Sequence, residues 1–139
     1  MSTTRAATTV WNGTLLEGKG ETTLNSSGAG VFPVSWPARS TEANGVTSPE
    51  ELIAAAHSAC FSMALSGALT KAGTPPTELR TSAEVDFRPG IGITEIRLRV
   101  SGNVPGLDHA GFAAAAESAK EECPVSQALK AVPIELLVE

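Results

Sequence analysis

The chain is poor in cysteine and carries no surplus of positive charge, and each shortage removes a class of function. Two cysteines in 139 residues cannot build a disulfide scaffold. Ten basic side chains against fifteen acidic ones leave a formal net charge of −5, which does not suggest a nucleic-acid footprint. There is no Gly-rich phosphate loop and no nucleophile-elbow motif of the hydrolase type. A C-x-x-C pair is also missing, so His57, Cys60, His109 and Cys123 make a weak zinc set with nothing to fix its spacing. No internal repeat and no linker-like stretch divides the sequence. The N-terminal residues lack the apolar segment of a signal peptide, and no C-terminal targeting tail is visible. The expectation is one domain over residues 1–139, cytoplasmic, without metal or cofactor, with thiols kept reduced.

Apolar residues make up 42% of the sequence and charged residues 18%, which is enough to bury a core. The longest run without charge, Leu52 to Thr70, is 19 residues and could span a membrane by length alone. It contains His57, Ser58, Ser62, Ser66 and Gly67, so a buried core helix explains it better and no membrane partner is expected.

Residues 1–48 read as strands and turns. Ala6–Trp11 and Glu21–Leu24 are threonine-rich, as strands prefer, with an Asn12-Gly13 hairpin signal after the first. Val31–Trp36 reads as a third strand stopped by Pro37, and Ala38–Thr47 as a polar loop that carries Arg39. At Ser48 the character changes: Ser48 as N-cap, Pro49 at N1 and Glu51 at N3 start a helix. That helix runs to about Lys71, is apolar nearly all round and should be buried on most faces. Leu79–Arg88 alternates cleanly, with Leu79, Thr81, Ala83, Val85 and Phe87 on one side. Ile96, Leu98 and Val100 supply its antiparallel partner beyond the Pro89-Gly90 turn. Asp108 caps a helix from His109 to about Glu122, Pro124 opens a short one ending near Lys130, and Val132–Val138 is a last strand. The pattern is α+β: an antiparallel sheet with helices on one face.

Two side chains stand out chemically. Cys60 lies mid-helix in His57-Ser58-Ala59-Cys60-Phe61, where a cysteine taken alone reads first as a small core hydrophobe. Cys123 stands at a helix start, where amide groups favour a thiolate, or where it simply replaces a capping residue. His57 alone reads as a hydrogen-bonded core histidine, and His109 as a first-turn surface residue.

The stretch Ser48-Pro49-Glu50-Glu51 through Cys60-Phe61-Ser62-Met63-Ala64-Leu65 resembles the central-helix signature of the OsmC/Ohr family. Cys123-Pro124-Val125-Ser126-Gln127 resembles that family's second-cysteine motif. Trp11-Asn12-Gly13, Gly18-Lys19-Gly20 and Val104-Pro105-Gly106-Leu107-Asp108 also match, so the likeness runs over almost the whole chain. His57 stands where the Ohr branch usually has an aromatic residue, which places the chain nearer the OsmC branch.

The resemblance implies a fold of antiparallel sheets packed on a long central helix, in an intertwined two-fold dimer. It implies a thiol-dependent peroxidase for organic hydroperoxides and, more weakly, hydrogen peroxide, active in oxidative and osmotic stress defence. By resemblance the site residues are Cys60 as peroxidatic thiol, Cys123 as its disulfide partner, Arg39 and Glu50, with a dithiol of lipoyl type as reductant. An apolar-ligand binder without catalysis and a thiol redox sensor are the alternatives.

Elementary chemistry adds two constraints. A cysteine in an apolar helix has a raised pKa, so a thiolate there needs a cation, and Arg39, held by Glu50, is the candidate. Glu50 and Cys60 are ten residues apart, about 15 Å along a continuous helix and on different faces. Either Glu50 is not catalytic, or the site takes it from a second subunit; the all-round apolar helix favours a two-fold dimer.

Overall fold

Three short strands and one helical turn make up the first third of the chain. They are β1 (Thr8–Asn12), β2 (Lys19–Thr23), β3 (Val31–Val34) and α1 (Trp36–Ser40). The computed structural model describes residues 1–139, which form two compact units, Met1–Pro49 and Glu50–Glu139.

In the N-terminal unit the strands pair antiparallel in the order β1-β2-β3. The threonines that suggested strands pair across β1 and β2, with the Thr9 and Thr22 hydroxyls 2.7 Å apart. The Asn12-Gly13 signal marks a turn, but not a two-residue hairpin. Residues 13–18 make a longer loop, closed by the Gly18 amide donating to the Thr14 carbonyl at 2.8 Å. Gly18 is required there, because a Cβ would sit 2.3 Å from the Thr14 oxygen. The third strand is shorter than expected, and the expected polar loop begins with a helical turn. The Ser35 hydroxyl accepts from the Ala38 amide at 3.2 Å, and Pro37 lies in the first turn of α1. Arg39 therefore stands in the last turn of α1.

The second unit is built on α2 (Pro49–Lys71), β4 (Glu78–Arg88), β5 (Gly92–Asn103), α3 (His109–Glu122), α4 (Pro124–Ala128) and β6 (Ile134–Val138). Pro49 opens α2, and its end is a Schellman cap. Gly73 adopts φ +89, its amide donates to Thr70, and the Thr74 amide donates to Leu69 at 2.9 Å. The alternation expected of β4 holds to Val85, and a register shift between Asp86 and Phe87 breaks it. Asp108 caps α3 as its sequence predicts, accepting from the Gly111 amide at 2.8 Å.

The expected antiparallel arrangement holds for β4 with β5 but not for the last strand: β6 pairs parallel with β5. The reason is connectivity. The α3–α4 segment carries the chain back along the sheet, and such a crossover returns a strand in the same direction.

The core of this unit lies between the sheet and two helices. Phe61, Leu65 and Leu69 of α2 meet Leu98 and Val100 of β5 and Phe112, Ala116 and Ala119 of α3. The α2 contribution is a stripe at four-residue spacing, one face of a helix. The expectation that α2 is buried on most faces is therefore corrected. Ala55, Ala56, Ala59, Met63 and Gly67 are exposed on the other side, because only one face meets the sheet and α3. By length and composition α2 is the one helix able to cross a membrane.

Leu65 is fully buried in this cluster. Leu65→Ala is expected to lose about 3 kcal/mol of unfolding free energy, read from urea denaturation, since transfer and cavity costs add. A loss below about 1 kcal/mol would mean that α2 is not seated on the core as described.

Candidate active site

Two buried stripes bring the cysteines together. On α2 the buried positions 57, 61, 65 and 69 follow one another at four-residue spacing, and Cys60 stands beside this line. On α3 the buried residues Phe112, Ala116 and Ala119 lead directly to Cys123. Cys123 precedes Pro124, and a residue before proline is driven out of the helical region. Its φ −57 and ψ 121 are extended, so α3 ends there and α4 starts in a new direction with Pro124 in its first turn. The Cys123 amide closes α3 on Ala119, while its carbonyl accepts the first bond of α4 from Gln127.

The Cys60 and Cys123 sulfurs lie 3.1 Å apart, within S–H···S hydrogen-bonding reach, although 63 residues separate them. Both are free thiols, and about 1 Å of approach would bring them to disulfide bonding distance. Cys123 is fully buried and Cys60 is partly open.

Their electrostatics differ in kind. Burial pushes the Cys60 thiol up, and the hydrogen bond and charge of Cys123 push it the same way; the Val125 amide opposes them. Burial acts against the Cys123 thiolate too. There it is outweighed by the Ser126 amide, the Cys60 thiol, the Ser126 hydroxyl and the Val125 amide, which together hold Cys123 below the ordinary thiol value. As a neutral thiol Cys123 makes no capping hydrogen bond; its thiolate form is what these donors favour. The raised Cys60 thiol is the outcome that its apolar helix predicts.

Glu50 is buried in the first turn of α2. Because α2 is continuous from Pro49 to Lys71, Glu50 remains about 15 Å along the axis from Cys60. Arg39 belongs to the N-terminal unit. The four soft side chains weighed as zinc ligands do not gather into a metal-binding group.

One site residue escaped the sequence reading. The Ser126 hydroxyl lies 2.7 Å from His57 Nε2, and both residues are buried. The signal was in the spacing: His57 lies three residues before Cys60 and Ser126 three after Cys123. In a helix or a capped first turn, that spacing puts side chains together.

A helix–sheet unit with two touching thiols defines a class of thiol redox proteins, and comparison with known proteins specifies the family. The model of the family described as OsmC-like protein matches residues 42–137. The sequence is 44% identical over 124 residues to peroxiredoxin OsmC of Escherichia coli (strain K12), covering 87% of this chain and 86% of the relative. The solved structure of an organic hydroperoxide resistance protein OsmC from Legionella pneumophila is similar with a TM-score of 0.76 at 26% identity. That match covers 99% of this chain and 97% of the other. The structure of the organic hydroperoxide resistance protein OhrB of Bacillus subtilis has the same fold, with a TM-score of 0.72 at 23% identity over 96% of this chain and 98% of the other. This chain belongs to the OsmC family.

Burial lowers the His57 pKa, so folding holds the ring neutral. The unfolded chain binds a proton on this residue near 6.5 and the folded chain only below that, so the unfolded state gains protons first. Stability is therefore full above the unfolded value and falls as pH drops from 6.5 through the lower folded value. Urea midpoints measured down that range should fall more steeply for the wild-type chain than for His57→Gln. Parallel curves would show that His57 is not buried neutral.

Proposed function

We propose that this chain is a thiol-dependent peroxidase that reduces organic hydroperoxides, and hydrogen peroxide more weakly. A peroxide-related redox role follows from its family and from the likeness to peroxiredoxin OsmC. The observation that carries the thiol cycle is the 3.1 Å contact of Cys60 and Cys123. The difference in exposure supports the proposed roles: Cys60, the more open sulfur, as the thiol that meets the peroxide, and buried Cys123 as its disulfide partner.

The cycle balances in three steps. The Cys60 thiolate attacks the outer peroxide oxygen, the O–O bond breaks, and the alkoxide takes the proton that Cys60 gave up. This leaves Cys60 sulfenic acid and an alcohol. The Cys123 thiolate then attacks the Cys60 sulfur, the S–O bond breaks, and hydroxide leaves as water with the Cys123 proton. An external dithiol, of lipoyl type by family likeness, reduces the Cys60–Cys123 disulfide by exchange and is itself oxidised to a disulfide. Apolar residues around Cys60 suit the tail of an organic peroxide.

The first step needs Cys60 as a thiolate, which its surroundings in this unit oppose. Arg39 is the guanidinium proposed to favour that thiolate and to hydrogen-bond the peroxide, with Glu50 holding the guanidinium by a paired fork. Glu50 cannot reach Cys60 along its own helix, so it comes from a second subunit. The exposed apolar face of α2, with Ala56, Ala59, Met63 and Gly67, supports such a two-fold dimer. The place of action is the cytoplasm, in defence against oxidative and osmotic stress.

A peroxide-consumption assay with a dithiol reductant tests the reading. Cys60→Ser should fall to the uncatalysed background, and Arg39→Ala should lose about a hundredfold or more, as removal of a charge-stabilising donor does. Cys123→Ser should consume one equivalent and then over-oxidise. Full activity in Cys60→Ser would exclude the assignment. Wild-type consumption that stops at one equivalent would instead identify a redox sensor, and none at all an apolar-ligand binder. Scattering in solution should give twice the monomer mass; a stable, fully active monomer would remove the role given to Glu50.

A further inference from the structure

The apolar core flanks the thiol pair on one side. Phe61, Leu65 and Leu69 follow Cys60 on α2, and Phe112, Ala116 and Ala119 precede Cys123 on α3. The other side is formed by what comes before Cys60 and after Cys123. There α4 contributes a single buried side chain, Ser126, next to the partly buried Val125. On α2 the buried residue preceding Cys60 is His57, three positions earlier. The two meet: His57 Nε2 lies 2.7 Å from the Ser126 hydroxyl, across 69 residues of chain. The ring's Nδ1 has no hydrogen-bond partner, so Ser126 is the ring's one polar anchor. At 0% and 5% exposure, neither residue can exchange this bond for one to water. Swinging α4 away from α2 would leave a buried polar group unpaired, which is costly.

We propose that the His57–Ser126 bond is a latch: it fastens α4 to α2 beyond the thiol pair, and makes His57 and Ser126 positioning residues for the 3.1 Å contact of Cys60 with Cys123. Closing a disulfide needs both sulfurs in one narrow geometry. A misplacement of about 1 Å can slow a reaction between positioned groups on the order of a hundredfold. With the latch closed, sulfenic acid formed on Cys60 meets Cys123 before a second hydroperoxide arrives. With the latch open, Cys60 waits. A second hydroperoxide then gives its outer oxygen to the Cys60 sulfur, its O–O bond breaks, and sulfinic acid and a second alcohol result. The latch sets the ratio of disulfide to over-oxidised thiol. Neither His57 nor Ser126 touches the peroxide or passes a proton.

That consequence rests on the peroxidase reading; the latch itself is tested without peroxide. The full chain is equilibrated in glutathione buffers of graded ratio, and the effective concentration of the Cys60–Cys123 pair is read from the fraction of disulfide by mass spectrometry. Ser126→Ala and His57→Leu should each lower it about tenfold, the size expected for breaking one buried hydrogen bond. The double variant should lose no more than the larger single loss, because the two residues act as one bond. His57→Gln, which keeps an N–H in place of Nε2, should restore the value, and so should Ser126→Thr. A substitution that merely weakens the fold lowers the urea midpoint and leaves the effective concentration of a still-folded chain unchanged. Circular dichroism checks folding; if His57→Leu does not fold, Ser126→Ala and His57→Gln carry the test.

An unchanged effective concentration in folded Ser126→Ala would overturn the proposal. So would losses that add in the double variant, or a His57→Gln chain as weak as Ser126→Ala. Under excess hydroperoxide, the weakened variants should accumulate more sulfinic Cys60 than the unsubstituted chain. Lowered effective concentrations in a chain that consumes no peroxide would overturn the peroxidase reading and leave the latch standing.

Discussion

The seating of α2 on α3 is the constraint from which the site follows. Phe61, Leu65 and Leu69 lock the rotation of α2 about its axis, and Phe112, Ala116 and Ala119 lock that of α3. Once both rotations are set, Cys60 and Cys123 have no choice but to meet at one end of the shared core. Neither sulfur is placed by a loop. Each stands on or against a helix whose register is fixed by burial of large side chains in a close-packed interior. Pro124 completes the arrangement by ending α3 at Cys123 and turning the chain toward Ser126.

The same packing creates an electrostatic division of labour. Cys60 lies in apolar surroundings that resist its charge, whereas Cys123 faces two amides and a hydroxyl that favour it. Nucleophilic thiol chemistry needs thiolates in sequence, first one and then the other. The unit Glu50–Glu139 supplies donors for only one of them. That imbalance is what motivates the proposal of Arg39 and of a second subunit at the site.

Much of this was legible in the sequence where local rules act alone. The bounds of α3 follow from Asp108 at its cap and Pro124 beyond its end, and α2 is announced by Pro49 and stopped by Gly73. The β4–β5 hairpin follows from strict alternation around Pro89-Gly90. What was not legible depends on partners distant in sequence. The parallel pairing of β6 depends on the path of the α3–α4 crossover, which no local pattern records. The one-sided burial of α2 was hidden because alanines, Gly67 and Met63 on the open face look as apolar as the core face. The α1 turn is hidden in the sequence because Ser35 and Pro37 serve equally as the end of a strand or as a cap and a first turn, and the structure uses them as the latter. His57 reads correctly as a hydrogen-bonded core histidine, but its partner, Ser126, is 69 residues away, and the matching three-residue offsets from the two cysteines point to it only once those cysteines are known to meet.

The central claim is that Cys60 and Cys123 of one chain form a working redox pair. Its most direct test is peptide mass spectrometry of the reduced protein after one equivalent of an organic hydroperoxide, with dilution to separate intrachain from interchain bonds. The account predicts one Cys60–Cys123 disulfide within each chain, formed in proportion to the peroxide added and independent of protein concentration. Accumulation of sulfinic Cys60, or disulfides only between chains, would contradict it.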